Sequence, residues 1–276
     1  MVLKGGHALS VDWSRIDRYA KSLIKEAGHR IRISFYQHID IETKADANDL
    51  VTNIDREIEQ FFISHIKRDF PGHSILGEEG FGDEVNSLKG VVWMLDPIDG
   101  TMNFIHQKRN FAISLGIYSD GIGMLGYIYD VMRDEFYNAF RGEGAYLNDE
   151  RIPALRKANL EEAVIGVNAS WVAPNRYVDH EKMAELIHTC RGTRSFGSAA
   201  IEIAYVATGR VDAYISMRLA PWDIAGGMII ASEVGAVASN LEGKPANLLG
   251  QDTFIIANPA LHGRILHDFI RLKDRT

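Results

Sequence analysis

Residues 91–95 are five apolar side chains in a row, Val91-Val92-Trp93-Met94-Leu95, and the next two residues are Asp96 and Pro97. This junction constrains the fold more than any other stretch. A short, unbroken apolar run bounded by turn residues reads as a fully buried strand. An ionisable group at its end sits at the rim of a core, where a lone charge is costly unless paired. The segment continues Ile98-Asp99-Gly100-Thr101. Pro97 fixes the chain direction. Asp99 follows three residues after Asp96, so both carboxylates can converge on one point. Gly100 permits a close backbone turn, and Thr101 adds a hydroxyl. The plain alternative is an Asp-rich turn without chemistry.

The chain around this junction mixes helices and strands in both halves. Steps of three and four join Trp13, Ile16, Ala20, Leu23, Ile24, Ala27, Ile31 and Phe35, which predicts an amphipathic helix capped by Ser10 or Asp12. Residues 37–49 are polar and read as a loop. A second helix carries Ile54, Ile58, Phe61, Phe62 and Ile66. Thr52-Asn53-Ile54-Asp55 reads as its capping box, with Asp in place of the usual Glu, and Pro71-Gly72 stops it. Residues 112–118, 124–130 and 135–140 read as a strand meander. Beyond about residue 150, strands at 163–168, 211–216 and 253–257 are set among helices at 180–188, 197–207, 221–234 and 259–272. The expected division is therefore 1–150 and 151–276, without internal repeats.

Composition narrows the classes. The chain has 276 residues, 46% of them hydrophobic and 24% charged, enough apolar material for a large core and unlike a disordered chain. The net charge of −7 gives no basic footprint, so nucleic acid is not an expected partner. The single cysteine, Cys190, excludes an intramolecular disulfide and a cysteine-based zinc site. No run approaches the roughly 20 apolar residues of a membrane span, and the first residues do not resemble a signal peptide. A soluble, cytoplasmic protein is the expectation.

Acids gather at abrupt junctions: Asp49 to Asp55, Glu78-Glu79 between Gly77 and Gly80, Asp96 to Asp99, Glu143 between glycines, and Asp223 after Pro221-Trp222. Singly, each reads as a turn or capping residue, and Glu143 keeps that reading. Together, Glu78, Asp96, Asp99 and Asp223 would bring four negative charges to one place with no sequence-local Lys or Arg. Like charges so close raise one another's pKa values. A hard divalent cation removes the conflict, and oxygen ligands without cysteine point to Mg²⁺, Mn²⁺ or Ca²⁺. His106 reads as a packing or surface residue.

Gly77-Glu78-Glu79-Gly80, Asp96-Pro97-Ile98-Asp99-Gly100-Thr101-Met102-Asn103-Phe104, and Pro221-Trp222-Asp223-Ile224-Ala225-Gly226-Gly227 resemble, in order and spacing, the motifs of the inositol monophosphatase family, and Asp49 to Asp55 matches its early motif. The resemblance implies an α+β / α/β fold, a layered αβαβα sandwich of two lobes, with the site between them and a homodimeric assembly. It implies a lithium-sensitive phosphomonoesterase using two or three Mg²⁺ and in-line attack of a metal-activated water on a small phosphorylated metabolite. Glu78, Asp96 and the Ile98 carbonyl would bind one Mg²⁺, and Asp96, Asp99 and Asp223 a second. Glu78 would help hold a third. Asp55 and Thr101 would orient the attacking water, with Asp49 behind them. Amides of Gly100 and Thr101 would hold phosphate oxygens, Lys44 would order the third metal, and Gly197, Ser198 and Ala199 would contact substrate.

One departure matters. Inositol-preferring members of the family carry a glutamate where this chain has Ser216. Arg218 lies two residues on and Arg194 precedes the substrate segment. These residues favour a more anionic substrate, fructose-1,6-bisphosphate or the 2′-phosphate of an NADP-type dinucleotide, as the alternative to inositol-1-phosphate. A regulatory protein of the same fold with a protein or RNA partner is the alternative of another class.

Overall fold

Helices α1 (Trp13–Ser34) and α2 (Asn53–Asp69) form where the three-and-four spacing places them. Asp12 caps α1 by accepting from the Arg15 N–H. The Thr52 box opens α2, with Asp55 reaching back to the Thr52 backbone. The computed structural model describes residues 11–43 and 50–273, so Ser10 lies outside it, as do Lys44 and Asp49. The polar stretch is not wholly a loop. Its residues Ile41–Thr43 form β1, antiparallel to β2 (Leu50–Thr52). All three β1 residues are exposed, so no apolar alternation marked it.

The first sheet has seven strands in chain order: β3 (Ser74–Gly77), β4 (Val91–Asp99), β5 (Ala112–Ser119), β6 (Ile122–Asp130), β7 (Glu135–Phe140), β8 (Gly144–Leu147) and β9 (Glu150–Arg151). Only β3 and β4 pair in parallel. A short helix, α3 (Thr101–Gln107), follows β4. The second sheet is ordered β11-β10-β12-β14-β13, from β10 (Val164–Val167), β11 (Gly192–Arg194), β12 (Ala213–Leu219), β13 (Val237–Ser239) and β14 (Asp252–Ala257). Strands β10, β11 and β12 run parallel. Helices α4 (His180–Thr189), α5 (Ala199–Ala207), α6 (Pro221–Glu233) and α7 (Pro259–Phe269) complete the chain.

Three apolar clusters show the layering. One joins α1 and α2 to one face of the first sheet. A second joins α5 and α6 to the other face and to the second sheet. The third joins the far face of the second sheet to α4 and α7. The result is an αβαβα sandwich. Every residue of α5 is buried, as expected of a helix apolar on every face but for Glu202. Helix α6 lies on the backbone of β5 and β6 because glycines meet there. A Cβ on Gly226 would stand 2.7 Å from the carbonyl oxygens of Leu115 and Tyr127, and one on Gly126 would stand 2.4 Å from the Gly226 carbonyl.

Some boundaries differ from expectation. The helix predicted over 197–207 starts at Ala199, because Gly197 is left-handed (φ 75°) and Ser198 is the N-cap. The strand predicted over 211–216 is Ala213–Leu219, and the closing helix ends at Phe269. Strands β8, β9, β11 and β13 have two to four residues, too few for periodicity to reveal. No helix among the described residues is long and apolar enough to cross a membrane.

Candidate active site

Strand β4 is buried at all nine positions, and its pairing with β5 shifts register between Asp96 and Asp99. Pro97 has no N–H to give a ladder, which suits it to a bulge. The Asp96 carboxylate accepts from the Ile98 N–H at 2.9 Å, closing the bulge. Gly100 leaves it at φ 96°, and a Cβ there would stand 3.1–3.2 Å from the Gly197 and Asn110 carbonyl oxygens and the Ser198 side chain. The turn that ends β4 thus touches the turn that precedes α5.

Asp223 reaches the same point from the second half of the chain. It lies in the first turn of α6, after Pro221, and accepts from the Ala220 N–H at 2.8 Å. Ser114 on β5 donates to the Trp222 carbonyl and ties that turn to the first sheet. One carboxylate oxygen each from Asp96, Asp99 and Asp223 lie within 4.8 Å of one another. Glu78 follows β3, and its N–H donates to the Leu95 carbonyl.

Burial, then the charges of Glu78, Asp99 and Asp223, push the Asp96 carboxyl well above its ordinary range. Burial pushes Asp99 up to about 6, against hydrogen bonds from the Ser198 hydroxyl (2.5 Å) and the Ala200 N–H (2.6 Å). Asp55, fully buried, is also raised by burial to about 6, although it accepts from Thr52 and, at 3.1 Å, from the Thr101 hydroxyl. Such crowded acids fit a hard divalent cation. The donors are all oxygen, three meet at ligand spacing, and burial and like charge raise the carboxyls of Asp96 and Asp99, a penalty that a bound cation would relieve.

Beside the cluster is a cavity of about 220 Å³, lined by Asp99, Asn168, Trp171, Ser195, Gly197, Ser198, Ala199, Glu202, Tyr214, Ser216, Leu219 and Asp223. It opens at the carboxyl ends of parallel strands β10, β11 and β12, where open α/β sheets take ligands. The structure therefore brings Ser216, Gly197, Ser198 and Ala199 to the cluster. The Ser198 hydroxyl is engaged by Asp99 and by the cap of α5. Arg218 is exposed and does not line the cavity. Arg194 lines a neighbouring cavity with Val167, Val172 and Ile187.

Three residues escaped the sequence reading. Asn103 donates to the Asn110 and Phe196 carbonyls, joining the two turns. Glu202, on α5, accepts from the Phe196 N–H at 2.7 Å, and burial pushes its carboxyl up to about 7. Glu59, on α2, accepts from the Glu79 and Phe81 N–H groups. The only signal for the two glutamates was an acid at an apolar helical spacing.

A five-layer sandwich whose two halves bring buried and half-buried carboxylates together beside a polar cavity has the site of a divalent-cation-dependent enzyme. The comparisons agree. Residues 12–273 match the model of the inositol monophosphatase family. The chain is 52% identical over 262 residues to an inositol-1-monophosphatase of Bacillus subtilis (strain 168), covering 95% of this chain and 99% of that protein. It superposes with a TM-score of 0.86 on a 2′AMP-bound SaIMPase-II, at 43% identity over 93% of this chain and 94% of the other. It matches an IMPase/NADP phosphatase complexed with Mg²⁺ and phosphate at a TM-score of 0.85 and 31% identity, over 92% and 94%. The chain belongs to the inositol monophosphatase family, and it is a Mg²⁺-dependent phosphoric monoester hydrolase.

Proposed function

We propose that the enzyme hydrolyses inositol-1-phosphate or a similar small phosphorylated metabolite, at the point where Asp96, Asp99 and Asp223 meet beside the Asp55–Thr101 pair. The convergence of those three carboxylates within 4.8 Å carries the reading. Glu78, Asp96 and the Ile98 carbonyl would hold one Mg²⁺, Asp96, Asp99 and Asp223 would hold a second, and Glu78 would help hold a third. Bound Mg²⁺ supplies positive charge that cancels the acids, receives a dianionic phosphate and stabilises the attacking and leaving oxygens.

The chain's own groups do the rest. Thr101 donates to Asp55, so its oxygen is oriented to accept from a water. Asp55, with a carboxyl near 6, is matched to taking the proton that water releases at neutral pH. Asp49 and Lys44 lie outside the described residues; by the family resemblance Asp49 would support this pair and Lys44 would order the third metal. The amides of Gly100 and Thr101 hold phosphate oxygens, while Gly197, Ser198, Ala199 and Ser216 shape the cavity around the alcohol. The two lobes, 1–150 and 151–276, hold the site between them. The enzyme is a lithium-sensitive cytoplasmic homodimer.

The burial of Ser216 in the cavity wall favours a second substrate reading. Where family members that favour inositol present a glutamate, this chain presents a hydroxyl, which leaves charge tolerance for fructose-1,6-bisphosphate or a 2′-phosphorylated nucleotide, with Arg218 reaching the part of the substrate outside the cavity. The test is phosphate release from inositol-1-phosphate, fructose-1,6-bisphosphate, NADP⁺ and 2′-AMP, with Mg²⁺ and with chelator, by wild type and Ser216→Glu. The expected result is Mg²⁺-dependent release, with Ser216→Glu shifting preference toward inositol-1-phosphate. Equal ranking in both proteins would remove the role of Ser216. No release from any substrate would remove the substrate readings.

A further inference from the structure

Helix α2 carries two fully buried carboxylates one turn apart. Asp55 faces Thr101, and Glu59 faces the loop that bears Glu78. Glu59 Oε2 accepts from the Glu79 N–H at 2.7 Å, and Oε1 accepts from the Phe81 N–H at 2.9 Å. On the other side of Glu78, a Cβ on Gly77 would stand 2.6–2.7 Å from the Glu59 carboxyl atoms. Gly77 is therefore the residue that lets the carboxylate reach the backbone. The Glu78 N–H is meanwhile bound to the carbonyl of Leu95, the residue before Asp96. Glu78 is thus gripped on both sides and registered against β4.

We propose that Glu59 is a positioning residue that sets the divalent-cation affinity by holding the 77–81 loop in the pose in which Glu78 ligates. A charged acceptor is suited to this. Backbone N–H groups bonded to a carboxylate are held about twice as strongly as by a neutral acceptor. Burial away from water keeps the grip in place before a cation arrives. Beyond Gly77, which ends β3, residues 78–81 have no regular secondary structure to hold them, so without the clamp Glu78 would be ordered at the expense of cation-binding energy. The inference rests on the reading of Glu78 as a Mg²⁺ ligand. Partners that orient metal ligands are worth about 10–100-fold in affinity.

The experiment is calorimetric titration of the metal-free protein with Mn²⁺, for wild type, Glu59→Gln, Gly77→Ala and Glu57→Gln. Glutamine keeps the shape of Glu59 but loses the charge and one acceptor. Alanine at 77 keeps the charge and displaces the carboxylate. Glu57 is exposed on the same helix and serves as the charge control. Partial unfolding would lower the number of sites rather than the Kd of the folded molecules, so the Kd separates positioning from mere stability. Glu59→Gln and Gly77→Ala are expected to raise the Kd about tenfold or more, and Glu57→Gln to leave it unchanged. An unchanged Kd in Glu59→Gln would overturn the proposal. So would a shift there without one in Gly77→Ala, which would mark a charge effect. If Glu59→Gln does not fold, Gly77→Ala decides alone. A wild type that takes up no Mn²⁺ would overturn the Mg²⁺ reading itself.

Discussion

The two halves of the chain deliver acids to the same point by different means. Asp96 and Asp99 come from one strand end, and their separation is set by a bulge, a proline and one hydrogen bond within the segment. Asp223 comes from a helix whose place depends on glycines at its contact with β5 and β6 of that same sheet. The first arrangement is local. The second exists only once the layers have packed. A site of this kind tolerates surface change poorly where the segment itself is altered, and fails more gradually where the packing is altered.

The largest expected effect is at the local end. Asp96→Asn removes the carboxylate that faces Glu78, Asp99 and Asp223. Turnover should fall about 10³-fold or more, because several kcal/mol of charge stabilisation are lost. The metal-free protein should melt higher than wild type, because a crowded, buried charge has gone. Phosphate release and thermal melts check both. Retained turnover would show that the two halves are not joined through Asp96.

Thr101→Ala is next. It leaves the carboxylates in place and removes only the hydroxyl that donates to Asp55. We expect kcat to fall about 10²-fold with KM little changed. Thr101→Ser should recover most of the loss. A variant that changed KM alone would move Thr101 from handling water to binding substrate.

Gly226→Ala tests the packed end. Its Cβ would overlap the Leu115 and Tyr127 carbonyls, so α6 must shift. The expected cost is about 1–3 kcal/mol of stability. The Mg²⁺ concentration for half-maximal activity should rise as Asp223 moves off the cluster. Loss of stability without a change in Mg²⁺ demand would show that Asp223 does not depend on this contact.

The same contrast explains what could be read in the sequence. The strand-to-aspartate junction, the capping box of α2 and the two flanking acidic motifs were legible, because each is a local pattern with a local cause. The meander was legible for the same reason. Helix α3 and the short edge strands were not, since a few residues carry no period. The roles of Glu59, Glu202 and Asn103 were invisible, because their partners are backbone groups brought near only by folding. The glycines of Ala225-Gly226-Gly227 were legible as a motif, but their reason, close approach of α6 to a sheet, was not.

The crowding also has a pH signature. Asp55 and Asp99 sit near 6 and Asp96 well above its ordinary range, whereas unfolded aspartates titrate near about 4. At these three groups the native state therefore holds more protons than the unfolded chain, from about pH 4 to about 6 for Asp55 and Asp99 and to higher pH for Asp96, and their contribution to stability falls as pH rises through that range. Thermal melts of chelated protein from pH 5 to 8 should show this decline. Added Mg²⁺ should stabilise more at pH 8 than at pH 5. A gap that did not widen with pH would separate these carboxylates from the metal site.

The smallest expected effect sharpens the comparison from outside the cluster. Arg218 shares β12 with Ser216, yet its side chain is exposed while Ser216 is buried in the cavity wall. An exposed guanidinium can act only on the part of a substrate that projects from the cavity, and such pairs are worth about 0.2–1 kcal/mol. Arg218→Ala should leave KM for inositol-1-phosphate unchanged. It should raise KM for fructose-1,6-bisphosphate or NADP⁺ no more than about fivefold, and the rise should shrink in high salt. A rise for inositol-1-phosphate as well would place Arg218 against the reacting phosphate, and the second half of the chain would then contribute a charge, and not only a carboxylate and a wall, to the chemistry.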